Sequence, residues 1–176
     1  TNEEQKKIDF CFDVAKSISP SFAKLFKNDE YDDYLYDVKF KKIFCKDLLG
    51  ELKNEDVCAL EQALVSAPRN NHLVALHHHV LPSNSWMDKH YLDNASKVVA
   101  LSEQYSQIKA LIHGHVHSPL RQTIGSDNIP SYGSPSTCWQ WKMQVEFGVS
   151  DEAPGYQVIE LCDDGAVNVT VKRVEK

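Results

Sequence analysis

Apolar and polar positions recur with different periods along the chain, and the changes of period mark its elements. Between residues 3 and 18, Ile8, Cys11, Phe12, Ala15 and Ile18 return at helical spacing and predict an amphipathic helix. Ser19 followed by Pro20 is a start signal for a short second helix reaching about Phe26, and residues 28–33 form an acidic, solvated turn. Residues 34–44 partly alternate: Tyr36, Val38 and Phe40 fall on one side and Asp37, Lys39 and Lys41 on the other, as in a half-buried strand. Asn54 is expected to cap a helix carrying Val57, Leu60, Leu64 and Val65, which Ala67-Pro68 ends. Two short continuous apolar runs, residues 73–77 and 108–112, then predict buried strands. Between them lie a loop at residues 82–89 and a helix from Asp93 or Asn94 to about Gln104, with Val98, Val99 and Leu101 as core positions. The order helix, strand, helix, strand favours a sheet with parallel neighbours and ligand loops at one edge. Beyond Pro119 the period falls to two. Short strands are expected at residues 120–124 and 129–132, and a hairpin at 156–162 and 166–171 around Asp163-Asp164-Gly165. The fold class is therefore α/β with a β-rich C-terminal tail. No repeat or linker divides it, so residues 1–176 are expected to form a single domain.

Both buried runs end in histidine. The first reads LVALHHHV at residues 73–80, the second IHGHVH at 112–117, and of all the histidines only His72 lies outside the interval from His77 to His117. Imidazoles delivered at the carboxyl ends of neighbouring strands suit zinc, iron, manganese, nickel or copper, so metal chemistry is the leading expectation. Gly114 is expected to let the backbone turn tightly while His115 and His117 stay close. Alternation along a strand would send His78 away from His77, toward the core or a supporting role, and His113 reads the same way.

Composition narrows the function. With 42% hydrophobic residues in 176 the chain can bury a real core, and its net charge of −6 argues against a nucleic-acid partner, which calls for a basic face. No apolar run approaches the ~20 residues that cross a bilayer, and the polar start TNEEQKK is unlike a signal peptide, so a cytoplasmic protein away from membranes is expected. Five scattered cysteines, without a C-x-x-C pair, read as reduced core residues.

The succession LHHHVLP, SWMDKHYLDNA, LIHGHVHSP and GSPSTCWQWK resembles the C-terminal half of the calcineurin-like metallophosphoesterases, and among them the bacterial class III cyclic-AMP phosphodiesterases, the Icc or CpdA proteins. The resemblance covers roughly residues 47–171. It implies a four-layer α/β sandwich and a pair of divalent ions (manganese, iron, zinc or magnesium) that activate a hydroxide toward a small phosphodiester such as cyclic AMP. It places His77 and His115 as ligands of one ion and His117 as a ligand of the other. Trp86, Asp88, His90 and Asn94 fall where the family's substrate-side loop lies, with His78, Asp88, His90 and Asn94 as the substrate-binding candidates, and Cys138 and Trp139 lie in a family-like stretch suited to packing. The family's upstream Asp-x-His, Gly-Asp-x-x-Asp and Gly-Asn-His segments have no counterpart. Asp88-Lys89-His90 and Asn70-Asn71-His72 match their letters out of place. The chain thus reads as N-terminally truncated. Two readings follow: a metal-dependent phosphodiesterase, inactive as this piece alone, or a non-catalytic interaction domain whose histidines hold one ion. A sheet deprived of its first strands is also expected to self-associate through the side nearest residues 73–77.

Overall fold

The computed structural model describes residues 50–174 in full and residues 40–44 as a strand. The helices expected at residues 3–18 and 20–26 and the acidic turn lie outside the described residues. Elements are labelled here in chain order. A parallel sheet is built from β1 (Phe40–Phe44), β2 (Asn71–Leu76), β3 (Ile108–His113) and β5 (Ile129–Gly133), and β4 (Arg121–Ile124) runs antiparallel at the edge beside β5. The strand order is β1-β2-β3-β5-β4. β2 is therefore interior, because β1 pairs with it in parallel from Phe40↔Asn71 to Phe44↔Ala75. The side of β2 that was expected to lie bare is occupied by β1, which becomes the last strand of the sheet on that side among the described residues.

Helices α1 (Asn54–Ser66) and α2 (Ala95–Gln104) cover one face. Leu60 and Leu64 of α1 and Ala95, Val98 and Leu101 of α2 meet Val74, Leu76, Leu111 and Ile124 in the larger core. The other face is covered by the antiparallel hairpin β8 (Gly155–Leu161) and β9 (Val167–Arg173), from which Ile159, Val167 and Val169 pack on Leu73, Ala110 and Tyr132. Helices on one side and a hairpin on the other explain why β2 is buried on both faces from His72 to Leu76, giving the continuous apolar run seen in the sequence. Gly165, at φ 91, supplies the left-handed residue of the β8–β9 turn.

Local details depart from expectation at one cap. Asn54 is the first helical residue of α1, with Lys53 at the cap, and its side chain accepts from Lys97 Nζ instead (2.7 Å). Asn94 stands at the cap of α2 but makes no capping bond. Its amide grips Leu52 from both sides, Oδ1 accepting from the Leu52 N–H (3.0 Å) and Nδ2 donating to the Leu52 carbonyl (2.6 Å). A short ladder absent from the sequence reading, β6 (Gln140–Trp141) with β7 (Val149–Ser150), lies beyond β5. No helix among the described residues is long and apolar enough to cross a membrane.

Candidate metal centre

Parallel pairing brings the two histidine runs together. Leu76 of β2 is in register with His113 of β3, so the residues just beyond, His77 and Gly114-His115, emerge side by side at the carboxyl edge of the sheet. Gly114 keeps the approach close: a Cβ there would sit 3.5 Å from His77 Nδ1. The tight turn belongs to the histidines themselves. His115 (φ 59) and His117 (φ 43) occupy the left-handed region, and the Val116 N–H donates to the Gly114 carbonyl at 2.6 Å, closing a γ-turn about His115. A branched-ring side chain held there stores backbone strain, a pattern concentrated at functional sites.

His77 Nε2 and His115 Nδ1 lie 3.1 Å apart and share a hydrogen bond. His78 completes a trio in which the ligand nitrogens of His77, His78 and His115 all fall within 4.8 Å of one another. The alternation argument fails for His78 because β2 ends at Leu76, so His77 and His78 sit on a bend where neighbouring side chains can converge. Their rings meet edge to face at 4.8 Å, and His78 lies 4.5 Å from the His115 ring. Burial, together with the neighbouring imidazoles, pushes His115 down to about 3, so it is neutral and has a lone pair to offer near pH 7. Four ligands at 2.0–2.1 Å around a tetrahedral ion stand roughly 3.3 Å apart, so three nitrogens with this spacing suit one zinc-like ion with small ring rotations.

His117 turns a little aside. Its Nδ1–H donates to the Trp139 carbonyl (3.1 Å) and its ring stacks on Trp141 at 5.3 Å with an interplanar angle of 11°. That bond fixes the tautomer and leaves Nε2 with the lone pair, the usual arrangement of a metal-binding histidine. Burial lowers its basicity, the Trp139 carbonyl opposes the shift, and His77 adds to it.

The remaining expected residues divide. His90 is exposed on a 3-10 turn, Trp86–His90, with its ring 5.5 Å from His115. Asp88 faces inward to the loop. Its Oδ1 accepts from the Ser83 N–H (2.7 Å), the Ser83 hydroxyl (2.6 Å) and the fully buried His79 Nε2 (3.3 Å). Burial alone would raise this carboxyl, but the bonds from Ser83 and His79 outweigh it and hold it below its ordinary value. Asp88 thus ties the turn to the strand end, and Asn94 ties α2 to Leu52. Buried His72 lies apart, its Nε2 bonded to the Ala67 carbonyl (3.0 Å). Among the described residues no carboxylate joins the three-histidine group.

Sequence reasoning passed over the aromatic wall beside this cluster. Trp86 lies 5.4 Å from Trp141 and 4.8 Å from Phe147, and Trp139 lies 5.7 Å from Trp141. Its signal was available, since Trp86, Trp139 and Trp141 are the only tryptophans of the chain.

No protein-family model matches the chain. It is 32% identical over 129 residues to the 3',5'-cyclic adenosine monophosphate phosphodiesterase CpdA of Haemophilus influenzae, an alignment that covers 72% of this chain and 46% of that protein. A 3',5'-cyclic-nucleotide phosphodiesterase of Nostoc sp. is 36% identical over 117 residues, covering 65% of this chain and 43% of the relative. CpdA of Escherichia coli is 35% identical over 127 residues, covering 71% and 46%. The chain spans a little under half the length of the curated relatives it matches. With 30–36% identity over about 70% of its own length, it is a homologue of the CpdA cyclic nucleotide phosphodiesterases.

Proposed function

We propose that the intact protein is a metal-dependent phosphodiesterase acting on a cyclic nucleotide in the cytoplasm, cyclic AMP being the leading substrate, and that the described fold supplies the histidine half of its metal centre. The observation that carries this reading is the trio of imidazole nitrogens within 4.8 Å at the joined ends of β2 and β3. The names of the relatives support the substrate class. In the intact protein His77 and His115 would hold one ion and His117, with its Nε2 lone pair, a second, as the family resemblance implies. A pair of divalent ions supplies charge that neutralises phosphate oxygens and lowers the pKa of water. This chain's own residues bring orientation: the γ-turn aims His115, the Trp139 carbonyl aims His117, and Asp88 anchors the turn that carries His90 to the rim.

A second reading applies to the 176-residue chain alone: a domain without turnover that binds one ion through His77, His78 and His115. It is favoured by the all-imidazole composition of the trio, because two cations roughly 3.5–4 Å apart repel and call for a shared anionic ligand. The two readings separate in one experiment. The purified chain is stripped of metal, titrated with zinc and manganese, and assayed with cyclic AMP and bis(p-nitrophenyl) phosphate. One equivalent bound with negligible turnover is expected. Turnover comparable to an intact relative, abolished in His115→Ala, would overturn the second reading. A reading frame upstream of Thr1 that encodes Asp-x-His and Gly-Asn-His segments supports the first, and a full-length protein inert toward cyclic nucleotides with both present would overturn it.

A further inference from the structure

The histidine cluster continues without a break into the aromatic wall. From His115 the rings run to His90 (5.5 Å), Trp86 (6.0 Å), Trp141 (5.4 Å) and back to His117 (5.3 Å), each centroid within van der Waals reach of the next. The wall is held by backbone as well as by stacking. Trp86 N–H donates to the Gln144 carbonyl and its indole Nε1 to the Lys142 carbonyl (3.2 Å), so the 3-10 turn is stitched to the segment joining β6 and β7. Trp141 N–H reaches the His117 carbonyl, and buried Gln140 closes the preceding turn through both Ser136 backbone groups. A rigid support of this kind has no structural need for exposed rings at its outer end. Yet Trp139, packed on His117 and Trp141, is 38% exposed, and Phe147, packed on Trp86 and Trp141, is 65% exposed.

We propose that Trp139, with Phe147 as the second exposed ring packed on Trp141, is a stacking platform for the nucleobase of a ligand whose phosphate lies at the histidines. The inference rests on the phosphodiester reading of that site and adds the base to it. Three observations favour a base over a protein partner. The exposed Trp139 ring lies directly against the phosphate-side His117, it offers a planar π surface, and the wall behind it is braced by the backbone bonds above, so little order is lost on stacking. A face of indole accepts any base, so selectivity among purines and pyrimidines would be modest and set by stacking area.

The test uses the zinc-loaded chain and calorimetric titration with adenosine 5'-monophosphate, with ribose 5-phosphate as the ligand lacking a base. Adenosine monophosphate is expected to bind about tenfold or more tightly than ribose 5-phosphate. Trp139→Ala should bring the two to equal affinity, Trp139→Phe should restore most of the difference, and Phe147→Ala, which removes a ring packed on Trp141, should lose a smaller part of it. Equal affinity for the two ligands in the parent chain, or a Trp139→Ala chain that still prefers the nucleotide, overturns the platform and leaves the metal reading in place. Failure to bind zinc, with Trp139-dependent binding of the nucleotide retained, overturns the metal reading and sustains the platform. Self-association abolished by Phe147→Ala, without any change in nucleotide affinity, assigns the patch to a second copy and overturns the proposal.

Discussion

Replacing His78 by Gln separates the ligand set that the structure assembles from the one that the sequence resemblance implies. Gln preserves most of the volume of a side chain only 7% exposed and removes a good zinc ligand. Structural zinc sites with four ligands contribute about 10–16 kcal/mol, or roughly 2.5–4 kcal/mol per ligand, so loss of one ligand corresponds to ~10²–10³ in dissociation constant. His117→Gln removes a ring outside the trio, and a supporting residue is worth ~10–100-fold. The lower end of that range applies, because Trp141 and the Trp139 carbonyl hold His117 against the wall independently of the trio. The assay is competition for zinc with a chromophoric chelator near neutral pH, with thermal melts confirming that each variant is folded. The expected order of loss is His115→Gln and His78→Gln together, then His117→Gln well behind. A chain in which His117→Gln costs as much as His115→Gln, while His78→Gln binds zinc like the parent, would refute the trio as the primary site.

Other outcomes follow from the same geometry. His115, at about 3, His79 and His117 are all held below the ordinary histidine value, chiefly by burial, so each takes up its proton at lower pH in the folded chain than in the unfolded chain, which does so below about pH 6.5. More protons bound in the unfolded state means that stability is whole above pH 6.5 and is lost as the pH falls toward 3, by at most ~1.4 kcal/mol per unit for each fully shifted histidine, less where solvent screens it. Denaturant melts of the metal-free chain between pH 7.5 and 4 check this, and a flat profile contradicts it. Zinc binding at both nitrogens must also break the His77–His115 hydrogen bond and move its proton to a ring nitrogen facing away from the ion, so the ring 15N chemical shifts should report a tautomer change on zinc loading, and unchanged shifts would contradict the shared bond. Gly133→Ala would place a Cβ 2.8 Å from Val116 Cγ2 and 3.0 Å from both His113 Cε1 and the Ser118 carbonyl, so a loss of ~1–3 kcal/mol in stability is expected, with weakened zinc binding because the shift reaches the γ-turn. Asp88→Ala should leave zinc affinity near the parent value but free the Trp86–His90 turn, read as faster amide exchange there; unchanged exchange would show that Asp88 anchors nothing.

The elements were legible wherever burial imposes a period. Both strands of the site and the helices before each of them stand within a residue or two of their expected places, because a strand covered on two faces must be apolar throughout and a helix covered on one must repeat at 3.6. Pairing was less legible. Nothing in residues 40–44 states that they lie in parallel against β2, since register between distant strands is decided by the whole sheet.

The site was legible as chemistry and only partly as geometry, and the reason is local. Alternation predicts direction as long as the backbone is extended, and it lapses at the residue where the strand ends. A shift of that end from His77 to Leu76 is enough to turn His78 from a core residue into a neighbour of His77 and His115. The same holds for Gly114. A glycine beside two histidines suggests that it takes the left-handed turn, yet here the histidines take it, and the small size of Gly114 serves the approach of His77. Strain at His115 and His117 has no sequence signature, because any L-residue is disfavoured there and only the surrounding bonds can hold it. Those bonds come from residues 22 and 24 positions later, the Trp139 carbonyl and the Trp141 N–H. The stretch that read as packing is therefore what sets the direction of a metal-ready imidazole, and it carries the exposed indole next to it. Removal of Trp139 should disturb base recognition while its backbone carbonyl, unaffected by the substitution, continues to aim His117. That separation of side chain from backbone is what allows one residue to serve two roles and lets the two be measured independently.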